Sequence, residues 1–238
     1  MFDAIVRLRH IWQTLFAINP DFYLMDFQKQ FCADLSLPIL IKNHWNEDLV
    51  AASRPFNRIV SQDEIQNSFE VFQETPAGEV KHVSTLLPEI YSNLIFSGSN
   101  CYDSSEITDS DNIYKSMNVH YSRGIHQSQN VIFCCHSTGL DNAAACDNSA
   151  YSEYVIRAID SINCSRCFDV YQSAKCSNCF FLGNCYDVHE SILCTNLRSK
   201  RFCIGNKQFS EDQYQQLKIP ILEELVFRKF RPMYDLGF

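Results

Sequence analysis

Four cysteines in the second half of the chain have a spacing that could bind zinc. Cys164-x-x-Cys167 is followed by Cys176-x-x-Cys179, and two CxxC pairs can supply the four thiolates of a structural zinc ion. All four also belong to a longer series of small or apolar residues at every third position, where serine, valine, leucine and alanine occur as well. A thiol can pack there as a compact buried side chain. Packing is therefore the preferred interpretation, zinc is the alternative, and we predict neither a metal site nor a cofactor.

Disulfide bonds are a second chemistry that the cysteines could carry. In a stack of coils the Cα atoms of neighbouring strands lie about 4.8 Å apart, inside the range of about 4.4 to 6.8 Å that a disulfide needs. The N-terminus lacks the apolar core and cleavage site of a secretory signal peptide, so we expect no secretion by that route, a cytoplasmic location if the protein is cellular, and reduced thiols. A repeat of 18 residues would stack Cys146 with Cys164, Cys167 with Cys185, Cys185 with Cys203, and Cys176 with Cys194.

Acid–base catalysis is the third chemistry to consider. Asp169 and Asp187 are separated by the same offset as Tyr171 and His189, and paired carboxylates on a solenoid face can transfer protons. The simpler interpretation is that these are turn and edge residues. The sequence contains no glycine-rich phosphate loop and no nucleophile motif. We therefore predict that the protein is not an enzyme and has no catalytic residues.

An internal repeat would position all of these residues. The segment CFDVYQSAKCSNC at 167–179 resembles CYDVHESILCTNL at 185–197, an offset of 18 residues. The same offset divides residues 95–202 into six segments. Repeats of about this length are typical of solenoids, in which each coil is stabilised by stacking on its neighbours. The sequence therefore predicts six coils of 18 residues each.

A shorter period lies within the repeat. Every third residue from Ile107 to Leu197 is small or apolar, and the series fails at Lys200. A period of three matches neither an α-helix nor an extended strand. It predicts short strands separated by bends, with the recurring residue facing inward. The predicted fold class is mainly β, a single-stranded β-solenoid with an N-terminal α/β segment and a C-terminal helical cap.

The residues between the inward positions predict corners and an outer face. Polar residues that tolerate left-handed backbone recur in two columns, where we expect the corners of a triangular coil. They are Asn142, Asp160, Asn178 and Asn196, and Asn112, Asn130, Asn148 and Asn184. Midway between corners runs an outward column of mostly β-favouring residues, which we expect another segment or a partner to cover. This candidate docking face consists of Phe96, Tyr114, Ile132, Phe168, Tyr186 and Ile204.

The flanking segments carry helix signals. Apolar residues at helical spacing predict an amphipathic helix over 2–16. Capping-box patterns at 61–64 and 210–213 predict one helix with an apolar face up to Phe72, and two further helical stretches separated by Pro220. We divide the chain into an N-terminal capping or docking region at 1–92, a solenoid at 93–206 and a helical cap at 207–238.

The overall charge limits the kinds of partner. The chain has 20 Lys and Arg against 28 Asp and Glu, a formal net charge of −8, which repels polyanions. No apolar stretch approaches the roughly 20 residues of a membrane span. We therefore expect neither direct nucleic-acid binding nor membrane insertion.

Residues 194–214, CTNLRSKRFCIGNKQFSEDQY, resemble the closing segment of a group of cysteine-rich β-solenoid repeat proteins found in candidate-phylum bacteria and phages. Proteins of that group carry runs of N-C-x-x-C-[FY] and end in N-K-Q-[FY]-[ST]-x-[ED]-x-Y. The likeness covers about the last half of the chain and is absent before residue 90. It implies a solenoid, and it carries no established activity.

These observations lead to one expected function and two alternatives. We expect a non-enzymatic structural or assembly protein, and in particular a phage virion component such as a capsid decoration, neck, tail or baseplate protein. Its partners would be other structural proteins of the assembly or further copies of itself. One alternative is a carbohydrate- or receptor-binding module that uses the faces of the solenoid. A polysaccharide-active enzyme is the other.

Overall fold

A computed structural model describes residues 2–16, 24–33, 35–67, 83–136, 143–146, 153, 155–159, 162–172 and 174–227. The helices in these ranges are α1 (Phe2–Phe16), α2 (Leu24–Phe31), α3 (Gln62–Asn67), α4 (Val83–Asn93) and α5 (Glu211–Phe227). The strands before the solenoid are β1 (Ile39–Lys42), β2 (Leu49–Ala52) and β3 (Ile59–Ser61). Those from residue 96 onward are β4 (Phe96–Gly98), β5 (Cys101–Tyr102), β6 (Ser105–Thr108), β7 (Ile113–Tyr114), β8 (Met117–His120), β9 (Gln129–Ile132), β10 (Ala144–Cys146), β11 (Ile156–Ile159), β12 (Phe168–Tyr171), β13 (Ser177–Gly183), β14 (Tyr186–Thr195), β15 (Arg198–Ile204) and β16 (Lys207–Gln208).

The strands of the solenoid stack with a constant offset along the chain. Parallel pairing joins Phe168 to Phe180, then Phe180 to Ile192, and then Ile192 to Ile204, and side chains in neighbouring coils are likewise bonded at a separation of 12 residues. The predicted β-solenoid is confirmed. The predicted coil of 18 residues is wrong. One coil has the length that separates the paired residues, and an offset of 18 residues therefore spans one and a half coils. The column that contains these residues reads Thr108, His120, Ile132, Ala144, Ile156, Phe168, Phe180, Ile192 and Ile204.

Every third residue of a coil has a left-handed backbone. In one coil φ is 58° at Asn112, 48° at Lys115, 60° at Asn118 and 45° at Tyr121. Each such residue bends the chain, so one coil has four bends and four short sides, and the predicted triangular section is wrong. The left-handed conformation predicted for asparagine is confirmed at Asn112, Asn130, Asn178, Asn184 and Asn196. The corners predicted at Asn142, Asn148 and Asp160 lie outside the described residues.

The residue that follows each bend points into the coil, as the period of three predicted. Inward serines and cysteines make the same hydrogen bond. Ser122 Oγ donates to the carbonyl oxygen of His120 at 2.7 Å, and Cys134 Sγ donates to that of Ile132 at 3.5 Å. Because both residue types make this bond, serine and cysteine can each occupy an inward position of the series. The series is interrupted at Lys200, which pairs with the inward Val188 and is itself exposed.

Helices α1, α2 and α5 cover one side of the solenoid and form a common core with it. The ring centroids of Trp12 and Phe168 lie 5.3 Å apart, and those of Phe16 and Phe180 lie 5.5 Å apart. Tyr214 of α5 is fully buried in the same cluster. The predicted N-terminal amphipathic helix is therefore confirmed, and the apolar column that it covers is buried by the chain's own helices.

The first coil is closed by the hairpin of β1 and β2 and by the pairing of β3 with β4. Asp111 is 3% exposed and accepts hydrogen bonds from the backbone N–H of Ser53 at 2.8 Å and from that of Asn100 at 3.0 Å. Gly98 lies so close to the hairpin that a Cβ atom there would be 2.6 Å from the carbonyl oxygen of Ala51. Any larger residue at this position would push the hairpin away.

Both predicted capping boxes are present. Ser61 Oγ donates to Glu64 at 2.7 Å and accepts from the backbone N–H of Glu64 at 3.3 Å, at the start of α3. The reciprocal bonds of Ser210 and Gln213 are 3.3 and 3.4 Å long. The apolar face predicted up to Phe72 lies partly outside the described residues. The predicted break at Pro220 is wrong, because α5 continues through it while the residues after it bury their apolar side chains against the solenoid.

The Glu64→Gln variant should lose about 1 kcal/mol of unfolding free energy at pH 7, because a neutral amide oxygen accepts weaker hydrogen bonds than a carboxylate does. Glu64 also accepts bonds from Asn43 at 2.6 Å and Asn46 at 2.8 Å. Burial raises its pKa, but the bonds from Ser61 and the two asparagines lower it more, so the pKa lies below the ordinary value. A depressed pKa stabilises the fold above the unfolded-state pKa, and this contribution is lost as the pH falls through the folded-state pKa.

Urea unfolding from pH 7 to pH 3 measures this effect. The difference between wild type and Glu64→Gln should shrink as the pH falls. Glu47→Gln is the control, since Glu47 forms only an exposed ion pair with Lys42 and should change stability by less than about 0.5 kcal/mol. Equal losses in the two variants would contradict the interpretation.

Candidate functional site

The predicted docking face does not form one surface. Ile132, Phe168 and Ile204 belong to the column on the covered side. Tyr114 and Tyr186 lie half a coil away, on the opposite side. Phe96, in β4, pairs with β3 at the N-terminal end. The prediction of a single column is therefore wrong. Residues that are one and a half coils apart fall alternately on opposite sides of the solenoid.

The pair of carboxylates predicted as an acid–base candidate is also separated. Asp169 is 2% exposed and lies on the covered side, next to the position of Arg157 in the preceding coil. Asp187 lies on the open side, with its side chain 43% exposed. Tyr171 and His189 are separated in the same way by half a coil. No groove can therefore be lined by both carboxylates, and the geometry that an enzyme would need there is absent from the described residues.

The register instead places a serine, a histidine and a carboxylate together on the open side. Ser177 and His189 are paired residues of neighbouring coils, and Ser177 Oγ lies 2.6 Å from His189 Nδ1. His189 Nε2 is 3.3 Å from Asp187 Oδ1, and Ser199 Oγ donates to Asp187 Oδ2 at 2.9 Å. The bond from Ser199, followed by that from His189, lowers the pKa of Asp187. The sequence signal that could have found this group is the one-coil offset between Ser177 and His189.

The order of serine, imidazole and carboxylate is that of a nucleophile relay. Acyl transfer also needs free N–H groups to stabilise an oxyanion. The N–H of Asn178, which follows the serine, donates to the carbonyl of Ser165 at 3.0 Å, and that of Asp187 donates to Ala174 at 2.9 Å. Both donors belong to the ladder between coils. The arrangement therefore works best as a set of side-chain bonds that join neighbouring coils.

Other polar side chains on the open sides form similar bonds between coils. Asn118 Nδ2 donates to Asn130 Oδ1 at 3.1 Å. Asn184 donates to Asn196 at 2.6 Å. The members of each pair are separated by 12 residues, which is one coil. The open sides thus carry polar ladders at the spacing of the strands, in addition to the backbone hydrogen bonds.

The inward cysteines follow the same one-coil register. Cys164 lies next to Cys176, and Cys167 lies next to Cys179, so the stacked pairs predicted from the longer repeat are wrong. All cysteines among the described side chains are free thiols. No three His, Cys, Asp or Glu side chains in the described part of the chain lie close enough together to hold a metal ion. A hydrogen bond with Cys164 lowers the pKa of Cys167, but a hydrogen bond with Cys179 and burial raise it well above the ordinary value.

Stability should fall in alkaline solution as the buried thiols ionise. Burial raises the pKa of Cys194 from 9.0 to about 11. A raised pKa stabilises the fold fully below the unfolded-state pKa, and this stabilisation is lost as the pH rises through the folded-state value. Urea unfolding in reductant between pH 8 and pH 11 should show a smaller loss for Cys194→Ser, which keeps the donor to Ile192, than for wild type. Identical pH profiles would contradict this prediction.

The fold and the side-chain ladders define a mainly β protein of the β-solenoid class, supported on one side by helices. No family model matches the chain, and neither a curated protein nor a solved structure matches it. None of the helices among the described residues has the length and apolar character needed to cross a membrane.

Proposed function

We propose that the chain is a non-enzymatic structural protein of an assembly, and specifically a component of a phage virion such as a capsid decoration, neck, tail or baseplate protein. The observation that carries the proposal is the bonding between coils, which recurs through the described part of the solenoid in its interior and on its outer sides. Backbone bonds, bonds from a backbone N–H to an inward serine such as Cys134 to Ser122, and outward ladders such as Ser177–His189 all join neighbouring coils.

Such a stack resists local opening because each coil is held by its neighbours, as in other repeat proteins. Three helices brace one side through a shared core, which leaves the remaining sides straight and regularly spaced. A rigid body with repetitive surfaces suits a scaffold better than a catalyst, which needs a concave site with free donors. Residues 194–214 resemble repeat proteins that occur in phages as well as in bacteria, and this resemblance implies a solenoid without an established activity.

Particle composition tests the proposal. Phage particles from a lysate of cells that carry the gene would be purified through two density gradients and analysed by peptide mass spectrometry. We expect the protein at a constant ratio to the major capsid protein through both gradients. Its absence from particles, with a purified protein that stays monomeric and binds no particle component, would overturn the proposal.

A binding module for carbohydrate or a receptor is the second candidate, and it is favoured by exposed aromatic rings on the open side. Tyr102 is 49% exposed and Tyr186 is 44% exposed, and both occupy the same column as Tyr114. Tyrosine is enriched in binding surfaces. A glycan array should show a ligand that Tyr186→Ala loses and that Tyr91→Ala keeps, since Tyr91 is 67% exposed but lies on α4. Absence of any glycan signal would count against this candidate.

A further inference from the structure

The interior contains cysteine pairs whose position allows a bond between coils. Pairing of Phe168 with Phe180 places the preceding Cys167 and Cys179 next to each other in the stack. A bridge between Ser165 and Ser177 does the same for Cys164 and Cys176. The four thiols are at most 1% exposed, and Cys167 Sγ donates to the carbonyl oxygen of Cys176 in the next coil at 3.7 Å. They therefore form one contiguous thiol cluster inside two neighbouring coils.

Cys194 and Cys203, two inward cysteines of the later coils, have no cysteine beside them in the strand pairs that contain them. The pairing of β13, β14 and β15 puts Leu182 beside Cys194, and Ser191 beside Cys203. The possibility of a bond is therefore set by the one-coil register and not by the abundance of cysteine. Neighbouring strands hold Cα atoms about 4.8 Å apart, within the range of about 4.4 to 6.8 Å for a disulfide.

We propose that Cys167 with Cys179, and Cys164 with Cys176, are latent cross-linking sites that form disulfides between coils when the protein meets a small disulfide oxidant such as oxidised glutathione. The thiolate of Cys179 attacks one sulfur of the oxidant and releases one glutathione thiolate. The thiolate of Cys167 then attacks the Cys179 sulfur of the mixed disulfide and releases the second glutathione. Two cysteine protons pass to the two released thiolates, so one protein disulfide and two reduced glutathione molecules form.

Access to the interior controls the rate of this reaction. The attacking thiolate must reach a sulfur of the oxidant. The four cysteines are at most 1% exposed, so oxidation requires transient separation of the coils. Cross-linking would therefore be slow in the folded protein and faster when the coils open. The inference goes beyond the proposed scaffold function: absence from particles would overturn that function and leave the cross-linking chemistry untouched.

Oxidation of the purified chain tests the proposal directly. The protein would be incubated with oxidised glutathione across a series of urea concentrations below the unfolding midpoint, quenched with an alkylating reagent, and analysed by intact mass and peptide mapping. We expect a mass loss of about two units per bond, bridges between cysteines one coil apart that include 164–176 and 167–179, and a shift of the urea midpoint to higher concentration.

Serine variants test whether the one-coil register decides which cysteines form a disulfide. Cys179→Ser keeps an inward donor like the neighbouring Ser191 and should remove the 167–179 bridge while the 164–176 bridge still forms. Cys185→Ser is the control and should leave both bridges intact, because Cys185 lies in another inward column. Bridges between cysteines one and a half coils apart, random pairing, or no mass loss at urea concentrations that expose the thiols to alkylation would each overturn the proposal.

Discussion

Replacing Phe168 with alanine should lower the free energy of unfolding by about 3 to 5 kcal/mol. The Phe168 side chain is 2% exposed, and its ring lies 4.7 Å from that of Phe16 and 5.7 Å from that of Phe31, between centroids. Loss of the ring would leave a cavity between the solenoid and the helices that cover it. Urea unfolding followed by circular dichroism measures the change.

Tyr186→Ala is the matched control for this substitution. In the coil predicted from the sequence repeat, this tyrosine would be the equivalent of Phe168 in the next coil. In the actual coil it lies on the open side and is 44% exposed, with a cation–π contact of 5.7 Å to Lys175. We expect a loss of less than about 1 kcal/mol. Equal losses for the two variants would contradict the observed register.

Arg157→Leu should cost about 3 to 5 kcal/mol, the loss typical of removing one member of a buried polar pair. Arg157 is 1% exposed, and its guanidinium donates to the carbonyl oxygen of Phe31 at the C-terminal end of α2, where a cation stabilises the helix dipole. The adjacent position of the next coil is Asp169, which is 2% exposed. Leucine would leave that carboxylate buried without the neighbouring positive charge.

Arg166→Leu is the control for the arginine substitution. Both arginines have left-handed backbones, with φ of 61° at Arg157 and 50° at Arg166, so the substitutions change backbone preference equally. Arg166 is exposed, and its replacement should change stability by less than about 0.5 kcal/mol. The double variant Arg157→Leu with Asp169→Leu should recover part of the loss, because both charges leave the interior together. If the double variant loses as much stability as Arg157→Leu does, the whole loss comes from the missing hydrogen bond to α2.

Local features were predictable because each depends on a few neighbouring residues. The inward series from Ile107 to Leu197 follows from the three-residue unit, in which an inward side chain bonds the carbonyl two residues before it. The interruption of that series at Lys200 and both capping boxes are local in the same sense. Bulky left-handed residues such as Phe181, with φ of 56°, carry no turn signal, so the bends that they form could not be recognised.

The candidate surfaces were less accessible to prediction. The amphipathic N-terminal helix was evident, but the residues that it covers depend on which outward positions stack together. The sequence repeat places Phe168 and Tyr186 in one column, whereas the actual register buries the first and exposes the second. The Ser177 and His189 pair, and the burial of Arg157 beneath α2, became visible only with the correct register.

The sequence by itself determined a solenoid of three-residue units, its inward thiols and hydroxyls, and the helices that precede and follow it along the chain. The tertiary structure decided how many units close one coil. A period of three is compatible with coils of four units or of six, because the inward pattern is the same in both. The bend angle at each left-handed residue and the hydrogen bonds between strands select four units, and this choice decides which cysteines are neighbours and which aromatic residues the helices bury.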